Sequence, residues 1–487
     1  MLRTTGIALL LASFVAGVGC GGGSVPRVNT RGGGSHPPDE PNSPGAVSIY
    51  PASETLRTGA QRRFSGWDST VGQYDVIWSL QEGAGAGTIT ADGLYTAPTT
   101  PGTFHLIAKS AQNASLSATA PLTILSVGFA SVSEIAVARS GHTANLLNDG
   151  RVLLVGGTGD AVHNAELFVP SLGSFAGISG TMLQVRTGHC SVPLQDGRVL
   201  VAGGTSNGNL FKTAELFDPV TQNSTATGDL NQARTGASAT LLANGKVLIA
   251  GGQDSGGAVL SSAELYDPST GSFILTGTMR FPRAQHTATL LTSGKVLLVG
   301  NITVTGTADL FDPASGLFSS TGSLVQARAH HTATLLPNGK VLLLGGTQIT
   351  APVGGGAPAA PVSLDSAEIY DPTKSLFETA GRLLIARDSH SATLLPNGTV
   401  LVAGGYSHGF DSDAQPEWYS LFVAELFDPV TSVSTPAASL EEDRAQHAAT
   451  MLNNGQVLVT SGVAGFQQPC CKPKPYSFTR VSSELYK

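Results

Sequence analysis

Short runs of alternating or unbroken apolar residues, separated by turn signals, recur through most of the chain with a period of roughly 50 residues. In the unit that begins at Arg328, residues 331–336 alternate as a short strand does, and Asn338-Gly339 then provides a two-residue hairpin turn. Residues 340–344 form a run that is continuously apolar from Val341 onward, which is typical of a strand covered on both faces. The Gly345-Gly346 doublet follows, where two backbones can approach more closely than a side chain permits.

Each unit ends in a second signature, an acidic residue in a short apolar strand, which a turn and an aromatic residue follow in units one, three, four and five. The pattern therefore predicts four antiparallel strands per unit, and such units form the blades of a β-propeller, a ring without long exposed edges. The arginine that opens the unit occurs at Arg139, Arg186, Arg234, Arg283, Arg328, Arg387 and Arg444. The acidic residue of the third strand occurs at Glu166, Glu215, Glu264, Asp309, Glu368, Glu425 and Glu484.

The motifs R-x-x-H, Gly-Gly after an apolar strand, and E-L-[YF]-D-P resemble the kelch repeat. The resemblance covers residues 126–487 and implies an all-β, seven-bladed kelch propeller. Three units depart from it: Ala237 replaces the histidine of unit three, and Gly300-Asn301 and Ser461-Gly462 replace the doublet of units four and seven.

The seventh unit has no fourth strand of its own after Glu484. A spare strand of the right kind precedes the first unit, at residues 128–137. Because an open blade would expose unpaired backbone groups, we expect this N-terminal strand to pair with residues 483–486 and close the ring.

The N-terminal region has three parts. Residues 1–19 combine a basic start with an apolar run too short to span a bilayer, as a signal peptide does. The run ends at Cys20, which resembles the acylated cysteine of bacterial lipoproteins; the alternative is an ordinary signal peptide with an incidental cysteine. Residues 20–45, rich in glycine and proline, are predicted to be a flexible linker. We expect an exported protein of the bacterial cell envelope, at the outer membrane or cell surface, held to the membrane only by this lipid.

Residues 46–125 have a different pattern, with alternating runs but neither repeat signature, so an eighth blade is excluded. About seven short strands favour a small β-sandwich. The segments around Trp78 and at residues 87–98 resemble bacterial immunoglobulin-like domains. Since no cysteine pair lies inside, Trp78 is expected to pack against aliphatic side chains.

The composition agrees with an exported all-β protein: only 13% of residues are charged, and glycine numbers 60. The net charge is −7 and no basic cluster occurs, which argues against nucleic-acid binding. Four cysteines are too few for a disulfide scaffold. We expect a monomer without a cofactor.

Repeating polar residues are interpreted as structural. The histidines would form a ring around the channel, too far apart to converge on one metal ion, so we predict hydrogen bonds between neighbouring blades instead. A buried carboxylate needs a partner, so each repeat arginine is expected to pair with a third-strand carboxylate of its own or a neighbouring blade, for example Arg283 with Glu264 or Asp309. No catalytic residue and no metal ligand is predicted. The ring histidines are His142, His189, His286, His331, His390 and His447.

Function is sought in what does not repeat. The connections between the second and third strands are long in units five to seven, and we expect them to form a raised rim on one side of the channel mouth, offering aromatic anchors and polar selectivity. The alternative is loop packing, with Trp418 and Phe422 covering a blade edge. The predicted ligand-binding residues are Tyr406, His408, Phe410, Asp411, Asp413, Trp418, Tyr419, Lys472, Lys474, Tyr476 and Arg480.

Two smaller signals lie in the same region. Asp411 and Asp413, with Glu417 and His408 nearby, could ligate calcium, although a lone D-x-D is more often a solvated loop. The neighbouring cysteines at positions 470 and 471 could form a vicinal disulfide, remain thiols, or include one that reaches Cys190.

These features favour a surface-anchored, non-catalytic binding protein that recognises a glycan or a protein. One alternative is an enzyme similar to the copper radical oxidases, which carry a kelch propeller behind an N-terminal β domain. They need two tyrosines, a cysteine crosslink and histidine ligands; Tyr406, Tyr419, Tyr476, His408 and Cys470 lie in the right region, but no adjacent Tyr-His pair exists. The other alternative is a structural spacer in a surface assembly.

Overall fold

The computed structural model describes residues 46–71, 75–125, 128–158, 165–178, 180, 182–301, 306–350, 360–410, 416–467 and 476–487. These residues form β-strands and one short 3-10 turn, Gly83–Ala86. No helix in them is long and apolar enough to cross a membrane. The predictions for residues 1–19, Cys20 and residues 20–45 lie outside the described residues, as do those for Asp411, Asp413, Cys470, Cys471, Lys472 and Lys474.

The chain divides into two compact units, Met1–Ile124 and Leu125–Lys487. In the described residues of the first, nine strands form three sheets around a core that includes Phe64 and Tyr95. Trp78 is half-buried and packs against the same core. One sheet pairs Val47–Tyr50 with Ser65–Asp68; the second has the order Glu54–Arg57, Ser117–Leu125, Gly102–Ser110, Val76–Leu80; the third has the order Gln61–Arg63, Leu94–Thr96, Thr88–Ile89.

The second unit contains seven four-stranded antiparallel blades. Their first strands contact one another in sequence and the last contacts the first, so the blades form a closed ring. Blades 1 to 3 are Thr143–Leu146, Val152–Val155, Glu166–Val169, Ser174–Gly177; Cys190–Pro193, Val199–Ala202, Ala214–Asp218, Asn223–Ala226; and Ser238–Leu241, Val247–Ala250, Ala263–Asp267, Ser272–Leu275. Blades 4 to 6 are Thr287–Leu290, Val296–Val299, Ala308–Asp312, Leu317–Ser320; Thr332–Leu335, Val341–Leu344, Ser366–Asp371, Leu376–Arg382; and Ser391–Leu394, Val400–Ala403, Ala424–Asp428, Val433–Pro436.

Blade 7 joins the two ends of the propeller. Its strands are Ala448–Met451, Val457–Thr460, Ser483–Tyr486 and, as the fourth, Phe129–Ser131 from before blade 1. Phe129 lies opposite Tyr486, with ring centroids 5.1 Å apart. Backbone bonds extend the contact on both sides, and Ile135 is buried. The prediction of closure by an N-terminal strand is confirmed.

The second strands are buried in every blade, as their apolar sequences predict, and Thr460 in blade 7 is the polar residue among them. They end at the glycine doublet, where the close approach is visible in blade 6. A Cβ on Gly404, at φ +61°, would lie 2.5 Å from the carbonyl oxygen of Arg444 and 2.8 Å from the His447 ring. One on Gly405, at φ +102°, would lie 2.6 Å from the carbonyl oxygen of Asp388. The doublet therefore lies where one blade packs against the arginine–histidine segment of the next, and this contact is called the seam below.

Candidate functional site

Each repeat arginine pairs with the third-strand carboxylate of its own blade. The side chains of both partners are at most 3% exposed in all seven blades. Six of the pairs have N–O distances of 2.6 to 2.9 Å; the Arg139–Glu166 pair has the same partners. Arg283 selects Asp309 rather than Glu264. A second guanidinium nitrogen donates to the carbonyl of the first residue of the doublet, for example Gly345 with Arg328 at 2.7 Å.

The glutamates also hold the segment that leads into each blade. In six blades the second carboxylate oxygen accepts a backbone N–H from this segment, as Glu264 does from Asn231 at 2.7 Å. In blade 4 the shorter Asp309 uses one oxygen for both bonds from Arg283. Each arginine–carboxylate pair thus supplies hydrogen-bond partners for a buried guanidinium, a buried carboxylate, a doublet carbonyl and, in six blades, a backbone N–H. These residues therefore belong to the structural framework and not to a binding site.

The ring histidines join neighbouring blades. In five cases Nε2 lies 2.9 to 3.1 Å from a hydroxyl in the first strand of the preceding blade. Blade 7 has Ala448 at that position, and its opposite neighbour Thr460 supplies the hydroxyl for His142 at 3.0 Å. Burial lowers the pKa of His142, His189, His286 and His447 to about 3 and that of His331 and His390 well below 6.5. The rings are therefore neutral at pH 7.

At the seam between blades 2 and 3, both partners of the histidine–hydroxyl hydrogen bond are replaced. Blade 3 has Ala237 in place of the histidine, and blade 2 has Cys190 at the position where five other blades have a hydroxyl. The two side chains belong to one apolar cluster. Cys190 is a free, buried thiol whose pKa burial raises to about 11, so it is inert at neutral pH.

A collar surrounds the channel mouth. It consists of the residues two positions after the repeat arginines, namely Gly141, Gly188, Gly236, Gln285, His330, Ser389 and Gln446. Six of its backbone N–H groups donate to the carbonyl of the collar residue in the preceding blade, at 2.8 to 3.4 Å. All seven residues have φ between +51° and +63°. Blades 1 to 3 use glycine, which adopts this conformation freely, whereas blades 4 to 7 use polar residues, which do not.

The long connections of blades 5 to 7, called the inserts below, rise directly beside the collar. Each begins with a residue paired to the one just before the collar residue, as Tyr406 is to Asp388. The insert of blade 5 is a hairpin, Thr347–Thr350 with Ala360–Ser363. The inserts of blades 6 and 7 form one four-stranded sheet, in the order Tyr406–Phe410, Pro416–Ser420, Val463–Gln467, Tyr476–Thr479. In their described residues, the three inserts are therefore regular β-structure.

The insert of blade 6 forms a wall beside the collar, and a hydrogen-bonded group lies at the base of this wall. His408 Nδ1 is 2.7 Å from a carboxylate oxygen of Asp388, and Ser363 donates to the same oxygen at 2.6 Å. The other oxygen accepts a bond from the collar residue Ser389 at 3.0 Å. Asp388 is buried, and the His408 side chain is 20% exposed. The carboxylate therefore fixes the imidazole on one side and connects the wall to the collar.

The predicted ligand-binding residues separate into three sets. Tyr406, His408 and Trp418 form an aromatic cluster, with the Tyr406 and Trp418 ring centroids 5.2 Å apart. Tyr419 is 45% exposed, and Arg480 is held by Asp443 and Glu442 and stacks on Phe478. The third set lies outside the description: the side chains of Phe410 and Tyr476 and all of Asp411, Asp413, Lys472 and Lys474. Phe422 is 53% exposed.

Sequence reasoning missed the collar residues of blades 4 to 7, together with Asp388 and Ser363. A signal was present: the position two residues after the arginine is glycine in units one to three and polar in units four to seven.

The comparisons agree with this architecture. Residues 186–225 and 234–280 match the family model of the Kelch motif. No curated protein matches the chain. A solved structure described as a novel fungal alcohol oxidase with catalytic diversity among the AA5 family, in complex with copper, is 17% identical and has a TM-score of 0.56; the match covers 74% of this chain and 76% of that one. The structure of YjhT is 13% identical with a TM-score of 0.48, covering 63% and 99%. The second unit is a kelch β-propeller, and the likeness extends to the fold alone.

A copper ion like the one in the oxidase structure would need a group of ligating side chains in this chain. In the described ranges no three His, Cys, Asp or Glu residues are grouped so that they could hold a metal ion. Of the predicted candidates, His408 uses its Nδ1 atom in a hydrogen bond with Asp388. Burial raises the pKa of Tyr406 to about 12, with the Asp388 and Asp443 carboxylates acting in the same direction, so this tyrosine keeps its proton. His408 and Tyr406 therefore do not fit a copper centre.

Proposed function

We propose that the protein is a surface-anchored, non-catalytic binding protein that recognises a glycan or a protein through the propeller face carrying the inserts of blades 5 to 7. One observation carries the proposal: the inserts of blades 6 and 7 merge into a single sheet next to the channel mouth. A rigid sheet holds its side chains in fixed positions, which lowers the entropy lost on binding.

Exposed aromatic side chains on this sheet support a binding role. Tyr419 and Phe478 are both 45% exposed, and the Arg480 guanidinium lies 4.4 Å from the Phe478 ring centroid. Tyrosine, other aromatics and arginine are the residues that most often contribute binding energy at recognition surfaces.

The surface location is part of the same proposal and rests on the sequence. Acylation at Cys20 would tether the chain, the linker 20–45 would give it reach, and an immunoglobulin-like first unit would raise the propeller above the membrane. Mass spectrometry of the membrane fraction tests the anchor: we expect residues 1–19 to be absent and Cys20 to carry lipid, and an unmodified Cys20 would contradict it.

The binding face is tested by substitution. The double variant Tyr419→Ala/Phe478→Ala should lose capture of glycans on a printed array, or of partner proteins in a pull-down from envelope extracts. A matched control is Val220→Ala/Leu275→Ala, which removes two side chains that are 87% and 62% exposed in blades 2 and 3. Equal capture by both variants would contradict the proposal and favour a structural spacer.

A further inference from the structure

The collar contains an asymmetry that the propeller framework does not require. Blades 1 to 3 close their part of the channel mouth with glycine, so a left-handed backbone is the only demand of the fold there. Gln285, His330, Ser389 and Gln446 adopt the same conformation with φ of +51° to +53°. A non-glycine residue in this region costs free energy, and residues of this kind cluster at functional sites.

The four polar residues are neighbours, not scattered. They belong to consecutive blades, and three of those blades also carry the long inserts. A cavity of about 480 Å³ at the mouth is lined by the whole collar and by five of the ring histidines. Gln285 and Gln446 are exposed there, and His330 and Ser389 are half-buried.

The lining of this cavity has no charge. Its described residues include no Lys, Arg, Asp or Glu. The histidines are neutral, since burial is the main cause that lowers their pKa, and burial also lowers the pKa of His330. What remains is two carboxamides, a hydroxyl and an imidazole, a set that both donates and accepts hydrogen bonds.

Aromatic surface stands next to these groups. Tyr406 begins the wall opposite Asp388, one residue from the collar, and Trp418 packs edge-to-face against it. His408, fixed by Asp388, lies in the same cluster. Neutral donors and acceptors beside aromatic rings match a ligand that is uncharged, rich in hydroxyl groups, and apolar on the faces of its ring.

We propose that the polar half of the collar, Gln285, His330, Ser389 and Gln446, binds one uncharged sugar residue of a glycan at the channel mouth. This inference rests on the proposed binding function and names its ligand class. The carboxamides and the hydroxyl bond the sugar hydroxyls, and the wall of blade 6 receives the remainder of the glycan.

The test uses the full chain and substitutions that the fold itself contains. Gln285→Gly/Gln446→Gly places in blades 4 and 7 the residue that blades 1 to 3 already have, so the collar backbone is kept. The control is Gln222→Gly, at another left-handed glutamine (φ +58°) in the turn between the last two strands of blade 2. The probes are the methyl glycosides of glucose, galactose, mannose and N-acetylglucosamine, with methyl glucuronide as the charged counterpart, followed by saturation-transfer NMR and titration calorimetry.

We expect at least one neutral glycoside to bind more tightly than the glucuronide. The Gln285→Gly/Gln446→Gly variant should lose about tenfold or more in affinity, as for several lost hydrogen bonds, with an unchanged or higher Tm. Gln222→Gly should bind as the unsubstituted chain does. Equal affinity of the collar variant and the unsubstituted chain, or tighter binding of the glucuronide, would overturn the inference.

The outcome also separates this inference from the function on which it rests. If Tyr419→Ala/Phe478→Ala abolishes capture of a protein partner while no glycoside binds, the insert face is a protein-binding surface and the sugar site is wrong. If neither the insert variant nor the collar variant changes capture of any array glycan or extract protein, both proposals fail.

Discussion

The repeating framework and the inserts of blades 5 to 7 use the same polar side chains under different burial. Arg283 is fully buried and bound to Asp309, whereas Arg480 binds Asp443 and Glu442 with 17% of its side chain exposed. His286 is buried between two blades, whereas His408 is held on one side only. Residues that repeat are buried against one another, while residues that do not repeat keep surface available for a ligand.

Acid should break the framework first and with the largest effect. The ring histidines have folded-state pKa values of about 3 or well below 6.5, whereas in the unfolded chain they titrate near 6.5. Because the folded values are depressed, the unfolded state binds more protons at acid pH. The contribution of the histidines to the free energy of unfolding is therefore fully present above about pH 6.5. It is lost as pH decreases from there toward 3, by about 1.4 kcal/mol per histidine per pH unit.

Urea unfolding at several pH values between 7.5 and 4.5 measures this slope. His331→Asn should reduce the proton uptake on unfolding by about one. A free energy of unfolding that stays constant over this range would show that the ring histidines titrate normally in the folded protein.

Removing the closing strand should have the next largest effect. A chain that begins at residue 138 lacks the pairing of Phe129–Ser131 with blade 7, the buried Ile135 and the bond from Ala136 to Glu166. The lost apolar burial and backbone bonds are worth on the order of 5 kcal/mol. A chain that begins at residue 122 keeps all three, so it should melt at a clearly higher temperature in calorimetry. Equal melting temperatures would mean that the ring does not depend on this strand.

The two arginines named above give the direct comparison. Arg283→Ala leaves the Asp309 carboxylate buried without its cation, which should cost about 3–5 kcal/mol. Arg480→Ala removes a partly exposed pair and should cost about 1 kcal/mol or less. Denaturant unfolding of both variants measures the difference. Similar losses would show that burial does not separate the framework from the inserts.

The sequence was sufficient to predict the framework because the pattern of strands, turns and ion pairs recurs seven times. A pattern that recurs so often is not a chance match. The sequence left open whether Arg283 would reach Glu264 or Asp309, since the seam geometry at the doublet decides this. The sequence could not show the collar. The difference between Gly236 in blade 3 and Gln285 in blade 4 is informative only when both residues are known to have a left-handed backbone. The insert sheet was also missed, since Trp418 pairs with Gln467 across a separation in the chain that no local pattern reports.

The smallest effect is expected at the seam between blades 2 and 3, the place where the framework departs from its own rule. Cys190→Ser/Ala237→His should restore the hydrogen bond that Ser238 and His286 make at 2.9 Å in the next seam. Ala237→His alone would place a buried imidazole beside a thiol, a poor partner, and should destabilise by about 1–3 kcal/mol. Adding Cys190→Ser should recover about 1 kcal/mol of that cost. A double-mutant cycle in urea measures this coupling free energy directly. A coupling of zero would mean that the imidazole and the hydroxyl do not form a hydrogen bond. The apolar packing of Ala237 and Cys190 would then stabilise this seam in its own right.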